Sequence, residues 1–276
     1  MTAVICSKAD TPREFLVDSN KSLLKQSNAV AGRRQSDGWG IAYYSSNGPA
    51  ELIKSPAPVY KDGKKFANSA SKIRSEITIA HIRDASNPRG LKKSALGGMH
   101  NTQPFSHSNM IFAHNGTLEI PEEITAFLGR YKKFIRGNND SEVLFWQFIK
   151  LLDSYGSTEA AFENLMDEIW TTWHSCKNRH ADKKFPYRGL NLFASDGKSF
   201  YALCHYPLKK DPGALMTRGW KWGELALKRE NGRIILSSEP AGGENWARIG
   251  DLSLATVKKT NGELKLTVKK IAGDFK

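Results

Sequence analysis

Two residues near the start of the chain have side chains that could act as nucleophiles: the stretch MTAVICSKAD carries a hydroxyl at Thr2 and a thiol at Cys6. Further along, the segments SDGWGIAYY, AHIRDAS, HNTQPF, FAHNGTL and NNDSE gather polar groups and glycines within a few residues of one another. Taken one at a time, each has an ordinary structural use. Gly38 and Gly40 can be turn glycines around a core Trp39. Arg83, at the end of an apolar run, can make a surface ion pair. Asn115-Gly116 suits a type I′ turn. Asp140 suits a helix N-cap, because a strongly apolar helical pattern starts directly after it.

The elements that must position these residues follow from periodicity. TAVICSKA reads as a short buried strand. NKSLLKQSNAVAGRR has helical spacing with Gly32 as its stop, and KKFANSASKIRS is a second helix. GWGIAYYSS and AELIKS are strands joined by a turn at Asn-Gly-Pro. EITIAHIRDA and NMIFAHNGTL are buried strands that run into polar ends. PEEITAFLGRY starts a helix at Pro121. DSEVLFWQFIKLLDSYG is the strongest helix, with Val143, Leu144, Phe148, Ile149, Leu151 and Leu152 on a broad apolar side and Gly156 at its end. STEAAFENLMDEIWTTW is another, with Ser157 and Glu159 near its start. The last third turns to hairpins: LNLFASDGKSFYALCHY, ELALKRENGRIILSSEP and LSLATVKKTNGELKLTVKKI each bend at Asp-Gly or Asn-Gly. Strands with helices between them, followed by a run of antiparallel strands, give an α+β protein with layered antiparallel sheets rather than a doubly wound parallel fold.

Composition narrows the function classes. The 276 residues are 39% hydrophobic, enough for a substantial core, and no linker-like stretch divides them, so a single domain over 1–276 is expected. No apolar run is long enough to span a membrane, and the start lacks a signal-peptide pattern, so a cytoplasmic protein is expected. The three cysteines, Cys6, Cys176 and Cys204, are odd in number and show no close paired spacing. Neither a disulfide framework nor a structural zinc site is expected, and no metal or cofactor. The net charge of +13 comes from scattered lysines and arginines that fit no nucleic-acid-binding motif, so a solvated basic surface is expected rather than a nucleic-acid partner.

Together and in this order, the five segments resemble a class II glutamine amidotransferase of the stand-alone kind, a family of the N-terminal-nucleophile hydrolases. IILSSEPAGGENWARI looks like that domain's closing strands, so the resemblance covers most of the chain. It implies a four-layer αββα sandwich and a site for L-glutamine. Arg83 would bind the substrate α-carboxylate, for which a guanidinium offers two parallel hydrogen bonds, with Ser86 helping to hold the same group. Asn115, through its side-chain amide, and Gly116, through its backbone N–H, would form the oxyanion hole. Asp140 would pair with the α-ammonium. The general base in this family is the α-amine of residue one, whose ordinary pKa of about 7.7–8.0 leaves part of it neutral at pH 7. His81, His100 and His114 are accordingly expected to be hydrogen-bonding residues near the pocket.

The family nucleophile is a cysteine directly after the initiator Met, and here that position is Thr2. Two registers follow. Removal of Met1 would expose Thr2 as a nucleophile activated by its own amine. Alternatively MTAVI is a propeptide and Cys6 becomes residue one. On an intact strand Cys6 lies about 13 Å from Thr2, at about 3.3 Å per residue, too far to serve a site built around Thr2. The resemblance implies hydrolysis of the glutamine side-chain amide, with ammonia passed to an acceptor on this chain or on a partner enzyme. Two alternatives stand beside it: a glutamine-binding regulatory protein that has lost turnover, and a threonine-dependent hydrolase of another amide.

Overall fold

The computed structural model describes residues 1–30, 34–45, 48–207 and 213–275. The expected helix stop at Gly32 and the Asn47 of the expected Asn-Gly-Pro turn lie outside these residues. Among the described residues, thirteen strands form two antiparallel sheets. The first has the order β11-β9-β10-β1-β4-β2-β3, where β1 is Thr2–Asp10, β2 Trp39–Tyr44, β3 Ala50–Ser55, β4 Ser75–Ile82, β9 Ala226–Glu230, β10 Arg233–Ser237 and β11 Ala247–Arg248. The second has the order β13-β12-β8-β7-β6-β5, where β5 is Phe105–His107, β6 Met110–Leu118, β7 Tyr187–Ser195, β8 Ser199–Cys204, β12 Ser253–Thr260 and β13 Glu263–Lys270. The helices are α1 Leu23–Gln26, α2 Val59–Lys72, α3 Lys93–Leu96, α4 Pro121–Ala126, α5 Asp140–Tyr155 and α6 Thr158–Cys176.

Most central strands are buried on both faces, and their alternate residues supply different layers. Met1, Ala3, Ile5, Ile79, Ala113, Phe193 and Leu236 pack between the sheets. Their neighbours in sequence point outward: Trp39, Ile41, Ala80 and Ile82 pack on Phe66 and Ala70 of α2, and Phe112 and Leu192 pack on α5 and α6. This is the expected αββα sandwich. The helix side of the second sheet is aromatic, with Phe148 and Phe162 4.8 Å apart by ring centroid. Each such fully buried ring contributes roughly 1.5–3 kcal/mol of transfer free energy.

Local chemistry agrees with the sequence at most ends. Helix α5 stops at Gly156, which takes the left-handed conformation (φ 66°) and donates to the Leu152 carbonyl. Ser157 caps α6 by accepting from the Ala160 N–H. The hairpins β7–β8, β9–β10 and β12–β13 turn at Asp196-Gly197, Asn231-Gly232 and Asn261-Gly262. Three expectations need correction. The first helical pattern shortens to α1, because the Gln26 side chain donates to the Lys21 and Pro240 carbonyls instead of lying on a helix face. The N-cap of α5 is Asn139, which accepts from the Ser141 N–H, so Asp140 is already helical. Asn115-Gly116 makes no turn; both lie within β6, paired with Asn191 and Leu190 of β7.

Candidate active site

Strand β1 lies at the middle of the first sheet, and its start is fixed from both sides. Thr2 pairs with Ser237 of β10 and with Ala80 of β4. The Met1 carbonyl accepts from the Ser238 backbone N–H at 2.9 Å, and the Met1 amine donates to Ser238 Oγ at 3.1 Å. Met1 forms part of the wall of a cavity of about 480 Å³, together with Ser86, Asn115, Gly116, Glu119 and Trp222. A narrower recess of about 60 Å³ shares Ser86, Asn115 and Gly116 and extends to His81, Arg83 and His114. Four of the expected site residues, Arg83, Ser86, Asn115 and Gly116, thus meet at one recess.

Asp140 stands directly behind them. It accepts from Ser86 Oγ at 2.7 Å and from the Leu118 N–H at 2.8 Å, and it is 1% exposed. Arg83, which follows β4, is held by backbone bonds to Gly38 and Asp37 and donates from Nη1 to the Leu96 carbonyl at 2.6 Å. Burial lowers the pKa of its guanidinium, against the opposing fields of Asp37, Asp140 and Asp84. A buried cation beside a polar recess favours an anionic partner.

A buried network holds the Asn-Gly pair in place. The His114 N–H donates to Gln103 Oε1 at 2.7 Å, and Gln103 Nε2 donates to the His114 carbonyl and to Ser141 Oγ. His114 Nε2 lies 3.0 Å from the Gly189 carbonyl, which can only accept, so Nε2 carries the proton. Nδ1 then accepts from Ser141 Oγ at 2.9 Å. Burial lowers the His114 pKa, with Asp140 and the bond to Gly189 opposing, and this keeps the ring neutral. A Cβ at position 116 would lie 1.9 Å from the Gly189 carbonyl oxygen, so only glycine fits there. His81 is also buried, and its Nδ1 has no partner among the described residues. His100 is exposed on a short turn away from this network.

The two candidate nucleophiles are placed differently from the rest. Thr2 is fully buried, its hydroxyl lies 2.8 Å from Ser237 Oγ, and Met1 rather than Thr2 lines the cavity. Cys6 packs with Val4, Phe15, Ile235 and Ala241 on the outer face of the sheet. Burial pushes its thiol pKa up to about 11, with Asp10 adding and Arg233 opposing, so almost none is thiolate at pH 7. The Met1 amine is shifted the other way. Burial lowers it to about 5, with Glu239 opposing, so the amine at the cavity is neutral at pH 7.

Several cavity residues escaped the sequence reading. Glu239 follows the Ser238 that holds Met1, and its carboxylate accepts from the backbone N–H groups of Leu215, Met216 and Thr217 at 2.5–2.7 Å. It thereby fastens a segment that, through Gly213, Leu215 and Trp222, closes one side of the cavity. Glu119 also lines the cavity and pairs with Arg188 at 2.6 Å and Lys183 at 3.2 Å. A charged residue on a loop carries no local periodicity, so these had no sequence signal. Gln103 lay within HNTQPF, but nothing in that segment marks which residue reaches His114.

Two antiparallel sheets between helical layers, with the chain's first strand central in one of them, make the fold that of the N-terminal-nucleophile hydrolases. A solved glutamine aminotransferase class-II domain protein from Silicibacter pomeroyi superposes with a TM-score of 0.64 over 99% of each chain at 16% identity. The family model for the class II glutamine amidotransferases matches residues 17–259, and the chain belongs to that family. It is similar to the probable glutamine amidotransferase DUG3 of Saccharomyces cerevisiae, at 26% identity over 81% of this chain and 70% of that protein. It is also similar to the gamma-glutamyl-hercynylcysteine sulfoxide hydrolase of Mycolicibacterium smegmatis, at 24% identity over 89% of each.

Proposed function

We propose that residues 1–276 form one working unit that binds L-glutamine and hydrolyses its side-chain amide through Thr2, once Met1 is removed. The observation that carries this reading is the meeting of Arg83, Ser86, Asn115 and Gly116 at one recess beside the start of β1. Arg83 takes the α-carboxylate, Ser86 turns its hydroxyl from Asp140 to the same group, and the Asp140 oxygen so released takes the α-ammonium. The Thr2 amine accepts the hydroxyl proton as Oγ1 bonds to the amide carbon. The Asn115 side-chain amide and the Gly116 N–H stabilise the oxyanion. Collapse of the tetrahedral species breaks the C–N bond, and ammonia leaves with the proton from the amine. Water then attacks the threonyl ester, returns the hydroxyl to Thr2 and releases glutamate. The ammonia goes to an acceptor on this chain or on a partner enzyme.

Two observations support alternative readings. The cavity of about 480 Å³ is larger than one amino acid needs, and one relative is named for hydrolysis of a γ-glutamyl compound. This favours a γ-glutamyl amide with a bulkier leaving group as a second substrate class. The Thr2 hydroxyl already has Ser237 as partner and Met1 fills part of the wall, which favours a binding protein without turnover. Intact mass and N-terminal sequencing, paired with ammonia release from glutamine and hydrolysis of a γ-glutamyl anilide, separate the three, the second substrate class being favoured by faster turnover of the anilide. A mature Thr2 terminus with activity abolished in Thr2→Ala and kept in Cys6→Ala supports the main reading. A mature Cys6 terminus overturns the register. Retained Met1 with glutamine binding and no ammonia supports the binding protein.

A further inference from the structure

Away from the recess, three metal-type donors from separate elements converge. Cys176 is the last residue of α6, His180 follows one short helical turn later, and Glu123 comes from α4. His180 Nε2 lies 2.7 Å from Glu123 Oε1, and the cysteine sulfur, the imidazole nitrogen and a carboxylate oxygen all lie within 4.8 Å of one another. We propose that Cys176, His180 and Glu123 form a binding site for a divalent zinc-type cation, with water completing the coordination.

The donor chemistry selects the class of ion. Thiolate, imidazole and carboxylate are the three ligand types of protein zinc, whereas calcium and magnesium take oxygen donors alone. Zinc bonds of roughly 2.0–2.3 Å place tetrahedral donors about 3.3–3.8 Å apart. Rotation about the Glu123 and His180 side-chain torsions that moves the donor atoms by about 1–1.5 Å meets that spacing, since their present contact is a hydrogen bond that the ion replaces. On binding, the Cys176 thiol gives its proton to solvent, the His180 proton now donated from Nε2 to Glu123 passes through solvent to Nδ1 so that Nε2 offers its lone pair, and Glu123 binds as carboxylate. The two negative ligands balance the cation. Arg179 is the competing charge. It lies 3.7 Å from Glu123 with a side chain that is 69% exposed, so it stays in solvent when the ion takes its place. Cys176 is buried, but the His180 and Glu123 side chains are 22% and 14% exposed and leave a path for entry.

The location gives the site a purpose. Glu119, four residues before Glu123 and just ahead of α4, lines the cavity, and Lys183 and Arg188, which follow His180, pair with it there. An ion held by Glu123, Cys176 and His180 would tie together the two segments that make this side of the cavity. Local spacing hid the site, because Cys176-x3-His180 is short of a third ligand until the fold brings α4 alongside.

The test is titration of the purified full-length chain with Co²⁺, followed by displacement with Zn²⁺, which reads no glutamine chemistry. One equivalent with a thiolate-to-cobalt charge-transfer band is expected. Cys176→Ser should abolish the band, while Cys6→Ser and Cys204→Ser keep it. His180→Gln should weaken binding by about 100-fold or more, since even outer-shell partners of a metal are worth roughly 10–100-fold. Circular dichroism confirms folding, and the partly exposed His180→Gln carries the test if Cys176→Ser does not fold. Absence of the band in the folded wild-type chain, its survival in Cys176→Ser, or unchanged affinity in His180→Gln each overturns the proposal.

Discussion

On the proposed reading, Arg83 is the residue on which glutamine binding depends most. Its guanidinium is buried, and Nη1 donates to the Leu96 backbone carbonyl. Replacement by Ala should weaken glutamine binding about 100-fold, near 3 kcal/mol for two lost charge-assisted hydrogen bonds. Unchanged affinity by calorimetry would sink the assignment. Cys6→Ala, in contrast, should leave ammonia release within about twofold while lowering stability by roughly 1 kcal/mol, because it removes only a small packed group. Arg83, Ser86, Asn115, Gly116 and Asp140 were legible because each stands in a short segment of distinctive residues. Met1, Ser237 and Ser238 were not. Their contacts arise from the pairing of β1 with a strand near the other end of the chain, and no local pattern records such a partner.

Elements hold the site by close approach. A Cβ on Gly40 of β2 would lie 2.3 Å from the Gln103 carbonyl oxygen, so glycine there lets β2 sit against the segment that supports His114. Gly40→Ala should cost about 1–3 kcal/mol by overpacking, visible as a lower urea midpoint, and should also raise KM for glutamine by displacing Gln103. A normal KM in a destabilised variant would separate packing from site geometry. Glu239 acts on the other side of the cavity. Glu239→Gln replaces charge-assisted bonds to Leu215, Met216 and Thr217 by weaker neutral ones. Their amide hydrogen exchange should speed up by about tenfold or more, near 1.5–3 kcal/mol of lost local stability. Elements were read well where turn chemistry speaks locally, as at Asn231-Gly232 and Asn261-Gly262. They were read poorly where distant contacts decide, as where Gln26 leaves the helical pattern for Pro240. The helix expected over KKFANSASKIRS, from Lys64, starts earlier in the structure, at Val59, with a kink at Asp62.

At the scale of the whole molecule, buried bases set the pH response. The folded-state pKa of the Met1 amine is about 5, below its ordinary value of 8.0. His81 and His114 are likewise lowered, chiefly by burial. Between these values the unfolded chain binds more protons than the folded one, so stability must rise with pH. For the Met1 amine the window runs from about pH 5 to about pH 8 and spans up to roughly 4 kcal/mol at 1.36 kcal/mol per pKa unit. Denaturation midpoints should therefore climb across this range in the Met1-bearing chain, and a flat profile would contradict the burial of these groups. The α+β class could be read from the order of strands and helices, but the strand order could not, because β1 finds both its neighbours far downstream. That topology puts a clock on maturation. Met1 is 3% exposed once β1 is clamped between β4 and β10. On the proposed reading, an aminopeptidase must reach it while β10 is still unmade. The fate of each molecule is then settled during synthesis: chains trimmed on the ribosome become catalysts, and chains that fold first keep Met1 in the cavity wall.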